Sequence, residues 1–152
     1  MKQLSIMIKP ASAACNLRCK YCFYTDVADR RDTRYYGVMP LEQMRRMLQN
    51  LQPQFAPGDR VNFAFQGGEP TLAGLQWFRS FTDITEQWDA GIEVTYALQT
   101  NATTLDEDWC RYLAEKKYLV GVSLDLLPQC HDDARMPPET GRFSAAFMPW
   151  SC

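Results

Sequence analysis

The chain has 152 residues, enough for one domain or for a piece of a larger one. Its composition, 46% hydrophobic, 22% charged and 12% aromatic, is that of a soluble globular protein and excludes collagen-like or disordered classes. Sixteen basic against eighteen acidic residues leave a formal charge of −2, so there is no polybasic nucleic-acid footprint, and no apolar run approaches the roughly 18 residues of a membrane span. The stretch Met1–Pro10 is too short in its apolar part for a secretory signal and is interrupted by Lys9. No membrane partner, no nucleic-acid partner and a cytoplasmic location are the expectations.

In chain order, the pattern predicts a first strand over Leu4–Ile8, followed by a loop carrying Cys15, Cys19 and Cys22. Asp29-Arg30-Arg31-Asp32 reads as a solvated mixed-charge run. Leu41, Met44, Leu48 and Leu51 lie near one face of a helix that Pro40 can open at its first position. A second strand is expected over Val61–Phe65, then a helix carrying Leu75, Phe78, Phe81 and Trp88 and running to about Asp89 before Gly91. A third strand covers Glu93–Leu98. Thr104 and Glu107 form a capping-box pattern ahead of a helix with Trp109, Tyr112 and Leu113 on one face, and a fourth strand covers Tyr118–Leu124. After Asp125 the prolines 128, 137, 138 and 149 break any long helix, and no fifth strand is readable.

The last three strands recur about every 25–32 residues, the size of a βαβ unit. Such alternation predicts a parallel sheet with flanking helices, doubly wound or curved toward a barrel, with ligands at the carboxyl ends of the strands. The notable residues follow that rule. The cysteine trio comes after the first strand, Gln66-Gly67-Gly68-Glu69-Pro70 after the second and Gln99-Thr100-Asn101 after the third, while Ser123 and Asp125 close the fourth.

Six cysteines, about 4% of residues, are too sparse for a disulfide framework in a reducing compartment. Three of them lie within eight residues, Cys15-Asn16-Leu17-Arg18-Cys19-Lys20-Tyr21-Cys22. Four cysteines would close a cubic [4Fe–4S] cluster, and three leave one iron open to an external chelator. A zinc site built on three cysteines usually recruits a fourth Cys or a His, and the one histidine, His131, lies far along the chain. A cluster, a zinc site and unligated thiols are the three readings of the spacing.

Cys-x-x-x-Cys-x-x-Cys after a first strand, with an aromatic before the last Cys, resembles the radical S-adenosylmethionine superfamily. Lys9 to Ala14, Cys15 to Tyr24, Phe65 to Leu75, Leu98 to Asn101, Asp108 to Cys110 and Leu119 to Asp125 resemble the anaerobic sulfatase-maturating enzymes, from about residue 5 to 125. The resemblance implies the N-terminal part of a partial (βα)6 TIM-like barrel, with about four parallel strands and flanking helices, over 1–125, followed by a divergent tail, 126–152. It implies a [4Fe–4S] cluster held by Cys15, Cys19 and Cys22, with S-adenosylmethionine chelated to the open iron. It also implies reductive cleavage to a 5′-deoxyadenosyl radical, and conversion of a sulfatase Cys or Ser to formylglycine. A sulfatase or other peptide substrate and a low-potential electron donor are the implied partners.

Site residues carry over by position. Tyr21 resembles the family's adenine-contacting aromatic, and Gly67 and Gly68 permit close backbone approach. Glu69 can accept a hydrogen bond from the cofactor's ammonium. Ser123 and Arg135 match positions that contact the ribose and carboxylate, and Asn101 points from the end of the third strand. Taken singly, these residues have plainer readings: a turn for Gly67-Gly68, a solvated acid for Glu69, packing for Tyr21, a surface arginine for Arg135. Cys110 reads as a buried small hydrophobe, and His131 as a loop residue without a role.

Full-length members of the family are more than twice this long and add a cysteine-rich C-terminal domain. Leu126-Leu127-Pro128 stands where the family has Gly-Pro, and residues 146–152 do not resemble a helix or the next strand. A truncated or frameshifted frame, or a gene fragment, is the expectation, with marginal stability or self-association as its consequence. The rival functions are another peptide-modifying radical enzyme, a non-catalytic Fe–S module and a zinc-binding structural domain.

Overall fold

The computed structural model describes residues 1–125 and 127–136; the expectations for Leu126 and for the chain beyond 136 lie outside the described residues. Its elements are β1 Gln3–Ile8, β2 Arg18–Cys19, α1 Phe23–Asp29, α2 Leu41–Leu51, β3 Arg60–Phe65, α3 Leu75–Thr85, β4 Glu93–Thr100, α4 Glu107–Glu115, β5 Leu119–Val122, α5 Pro128–Ala134 and β6 Arg135–Met136. Four of the strands form one parallel sheet in the order β1-β3-β4-β5. Sheet neighbours are thus chain neighbours with no reversal, which is barrel winding and not the doubly wound alternative.

Alternation along the strands decides the two faces of the sheet. Register stacks Ile8, Phe65 and Leu98 in one row and Ile6, Phe63 and Tyr96 in the next. On this face Phe63 and Phe65 meet the helices: Phe63 lies 5.0 Å from Phe81, and Phe65 lies 5.0 Å from both Phe78 and Phe81. Met44 and Leu48 of α2 and Trp109, Tyr112 and Leu113 of α4 complete the core. The buried hydroxyls of this aromatic core are paired. Thr85 and Tyr96 share a 2.7 Å hydrogen bond, and the Tyr112 hydroxyl donates to the Phe78 carbonyl at 2.9 Å.

The opposite face carries a polar row beside a row of Met7, Ala64, Ala97 and Leu119, in which Met7 and Leu119 are exposed. Ser5, Asn62 and Thr95 stand in register and are linked, Asn62 Nδ2 donating to Ser5 Oγ at 3.2 Å and Thr95 Oγ1 to Asn62 Oδ1 at 3.3 Å.

Several boundaries differ from the expectation for identifiable reasons. Pro40 is the cap of α2, not its first residue, and Leu41 is 39% exposed, so the buried stripe is Met44–Leu48. α3 stops at Thr85; Trp88 reaches the core from the turn after it. The capping box is not formed: Asp106 is the N-cap of α4 and accepts the Trp109 N–H at 2.9 Å, which leaves Thr104 free to bond Thr71. β5 ends at Val122 because its partner strand ends at Thr100, where Ala102 turns through φ 62°. α1, α5 and the β2–β6 pair were not foreseen. Cys110 is half-buried, not buried, and His131 is a buried residue of α5, not a loop residue. The Asp29–Asp32 run is exposed, as expected.

Phe65 touches four aromatic neighbours at the centre of the sheet, Trp77, Phe78, Phe81 and Tyr118. Phe65→Ala is expected to destabilise the chain by about 3–5 kcal/mol, read as a lowered urea midpoint.

Candidate functional site

The carboxyl ends of β1, β3, β4 and β5 bring the predicted loops together. The chain leaves β1 at Ile8, passes a tight turn in which Ser12 adopts φ 57°, and enters the cysteine loop at Cys15. Leu17 is buried and anchors the loop, while Cys22 caps α1. β2 lies inside the loop and pairs with β6, Cys19 opposite Arg135, with the Lys20 N–H donating to the Ala134 carbonyl at 2.9 Å.

Gly67 and Gly68 both have positive φ, 94° and 59°. A Cβ on Gly68 would stand 2.2 Å from the Ala14 carbonyl oxygen, immediately before Cys15, so only glycine lets the β3 loop press against the cysteine loop. The same contact is fastened by the Glu69 N–H, which donates to the Ala14 carbonyl at 2.7 Å.

Glu69 is 1% exposed, which overturns its reading as a solvated acid. Its Oε1 accepts from the Thr71 N–H at 3.1 Å, the Thr71 hydroxyl at 2.7 Å and the Thr100 hydroxyl at 2.8 Å; its Oε2 accepts the Asn101 N–H at 2.7 Å. Asn101 extends that chain of bonds to the sulfur. Its Nδ2 donates to Asn16 Oδ1 at 2.9 Å and approaches Cys15 Sγ at 3.7 Å, and its Oδ1 accepts from Thr103. Asn16 Nδ2 in turn donates to the Thr103 hydroxyl at 2.7 Å.

At the β5 end, Ser123 donates its N–H to the Thr100 carbonyl at 2.9 Å, and its hydroxyl accepts from Gln99 Nε2 at 2.9 Å. Tyr21 is 56% exposed and makes no core contact, which removes the packing reading. Its hydroxyl donates to Asp125, 3.1 and 2.9 Å from the two carboxylate oxygens. Burial, then this bond, pushes the phenol up to about 12. Arg135, with a side chain 11% exposed, donates Nε–H to Asp125 at 2.9 Å and is not the surface arginine of the plain reading. Asp125, Asn16, Thr71 and Thr100 are the members of the site that residue-type reasoning did not assign. Of these, Thr100 and Asp125 had a signal, their places at the ends of the third and fourth strands.

Cys15, Cys19 and Cys22 are half-buried free thiols. Burial pushes Cys15 up to about 11, with Glu69 and the other two sulfurs adding to the rise and the Leu17 N–H opposing it. Burial raises Cys19 too, against the lowering effect of Arg135. A metal centre deprotonates the sulfurs it binds, and so works against that rise. Among the described residues no three Cys, His, Asp or Glu side chains converge on one point, as a mononuclear zinc ion requires. A cubane takes each thiolate on a separate iron, and the spacing of Cys15, Cys19 and Cys22 suits that demand. No helix among the described residues is long and apolar enough to cross a membrane.

Because Glu69 is buried among four donors, Glu69→Gln turns an amide nitrogen toward at least one of them. We expect a loss of about 1–3 kcal/mol in urea unfolding from the unpaired buried group. Unchanged stability would show that the carboxylate does not hold the loops together.

Comparison with known proteins agrees with this geometry. The family model described as "Radical SAM superfamily" matches residues 10–133. The cysteine-type anaerobic sulfatase-maturating enzyme of Clostridium novyi (strain NT) is 42% identical over 137 residues, 90% of this chain and 36% of the relative. The serine-type enzyme of Bacteroides thetaiotaomicron is 32% identical over 135 residues, 88% of this chain and 32% of the relative. The solved structure described as "Native anSMEcpe with bound AdoMet" is 41% identical, with TM-score 0.78, over 88% of this chain and 36% of that one. This chain spans about a third of the length of these relatives. With the family match covering most of the chain and three thiols presented at the carboxyl end of a barrel-wound sheet, the chain belongs to the radical SAM superfamily.

Proposed function

We propose that this chain forms the cluster-binding and cofactor-binding part of an anaerobic sulfatase-maturating enzyme, acting on a Cys or Ser of a sulfatase peptide to give formylglycine. The observation that carries the reading is the cysteine loop itself. Three free thiols within eight residues lie beside the glycine pair of β3 and the ends of β4 and β5. Cys15, Cys19 and Cys22 would hold a [4Fe–4S] cluster, with S-adenosylmethionine on its open iron. When bound, that pair supplies hydrogen-atom abstraction by a 5′-deoxyadenosyl radical; the protein supplies ligation and orientation.

Each residue has a physical task toward those groups. The Asn101 amide, close to Cys15 Sγ, favours a thiolate there. Gly67 and Gly68 keep a side chain out of the space between the β3 loop and the cysteine loop. Arg135 offers a guanidinium to a carboxylate, Ser123 a hydroxyl to a ribose, and Tyr21 an exposed ring face to an adenine. Glu69 already holds four donors, so its main task is to fix the loops; Oε2, with a single donor, is the oxygen left for an ammonium. A peptide substrate is supported by the relative described as holding AdoMet and the Cp18Cys peptide. A low-potential electron donor and a cytoplasmic setting follow from the need to reduce the cluster and to keep thiols reduced.

Anaerobic reconstitution with iron and sulfide, followed by reduction with S-adenosylmethionine, is expected to give 5′-deoxyadenosine. Cys19→Ala is expected to abolish it. A cluster without product would support a non-catalytic Fe–S module. Zinc without sulfide in a metal analysis would support a structural zinc domain.

A further inference from the structure

Two of the proposed cofactor residues, Tyr21 and Arg135, stand far apart in sequence and share one partner. Asp125 accepts the Tyr21 hydroxyl and the Arg135 Nε–H, and the Arg135 guanidinium carbon lies 5.4 Å from the centre of the Tyr21 ring. Among the described residues neither side chain has another hydrogen-bond partner. Tyr21 is mostly exposed, and Arg135 sits in a two-residue strand at the end of a helix of about two turns. An exposed tyrosine on a loop keeps its rotamer freedom unless something fixes it, and that freedom must be lost when a ligand stacks on it.

We propose that Asp125 is a positioning residue: it holds the Tyr21 ring and the Arg135 guanidinium as one preformed surface beside the cysteine loop, ready for S-adenosylmethionine. The inference rests on the proposed function and deepens it. The geometry is selective about which atoms are taken. Asp125 engages Nε of Arg135, and among the described residues no acceptor takes its two terminal amino groups, the forked pair that suits a carboxylate. Asp125 is itself aimed from behind. Its backbone N–H donates to Nδ1 of the buried His131 at 3.4 Å. The histidine assigned no role in the sequence thus holds the Asp125 backbone, from which the carboxylate reaches Tyr21 and Arg135. Burial alone would raise the Asp125 carboxyl, but the bonds from Arg135 and Tyr21 outweigh it and hold it below its usual range.

The same carboxylate also bears on the sulfurs. β6 pairs with β2 across Cys19 and Arg135, so fixing Arg135 fixes the strand that carries the second cysteine. The clamp therefore couples the end of β5, the cysteine loop and α5.

The test uses the whole chain with Asp125→Asn, Tyr21→Phe and the double variant. Hydrogen exchange at the Lys20 amide, measured without iron, reads the clamp alone. Asp125→Asn is expected to speed it by about tenfold while β3 and β4 amides stay unchanged, and unchanged Lys20 exchange overturns the proposal. In reconstituted protein with wild-type iron content and melting temperature, each single variant is expected to weaken S-adenosylmethionine binding by about tenfold in calorimetry, and the double variant no more than the worse single one. Losses that multiply overturn the proposal, because they would make the two residues independent contacts. Should Asp125→Asn not fold, Arg135→Lys removes the guanidinium side of the clamp and Tyr21→Phe its phenol side, and unchanged Lys20 exchange in both overturns the proposal. A wild-type chain that holds a cluster and binds no S-adenosylmethionine defeats the functional reading, while exchange still judges the clamp.

Discussion

The carboxylate of Glu69 is the contact on which the site depends. It is buried at the meeting point of three loops and satisfied by donors from two of them, Thr71 on its own side and Thr100 and Asn101 at the end of β4. A buried carboxylate without partners would be untenable, so the fold must bring those donors to it. In doing so it fixes where β4 ends, where Asn101 points and how near Asn101 stands to Cys15. The third loop joins through the backbone, with Glu69 N–H on the Ala14 carbonyl.

The cysteine loop is short of apolar anchors, Leu17 being its one buried aliphatic side chain, and it is held mainly by polar constraints. Gly68 fits against Ala14, Asn16 bonds Thr103 and Asn101, β2 pairs with β6, and Asp125 holds Tyr21. Each constraint comes from a different strand end. That is the physical content of a site at the carboxyl edge of a parallel sheet: the strands are rigid, and their successive loops converge although they are distant in sequence.

The two faces of the sheet divide the labour. Aromatic rows on one face lock β3 and β4 under α3 and α4, with the tyrosine and threonine hydroxyls paired inside. On the other face the register sets Ser5, Asn62 and Thr95 in a hydrogen-bonded row, with Met7, Ala64, Ala97 and Leu119 in the next. A row of small and polar side chains on the face away from the helices is what a barrel interior lined for a ligand demands, and it is poor material for a second helical layer.

The sequence alone determined the four strands of the parallel sheet, the three main helices and the loops that carry chemistry, because strand alternation, helical spacing and the cysteine spacing are local signals. It also carried the family resemblance, since Cys15 to Tyr24 and Phe65 to Leu75 are contiguous blocks. It left open whether the sheet was doubly wound or barrel-like, because strand order is a property of pairing and not of any one segment. Tertiary structure decided the rest. Glu69 reads as an ordinary surface acid until the ends of β3 and β4 meet around it, and Arg135 as a surface arginine until β6 pairs with β2. His131 has no visible partner until α5 folds back on Asp125. Thr104 looks like a helix cap, but Asp106 takes that place and the Thr104 hydroxyl bonds Thr71 instead. In each case the deciding contact joins residues far apart in the chain, and no periodicity in a sequence records a hydrogen bond across such a distance.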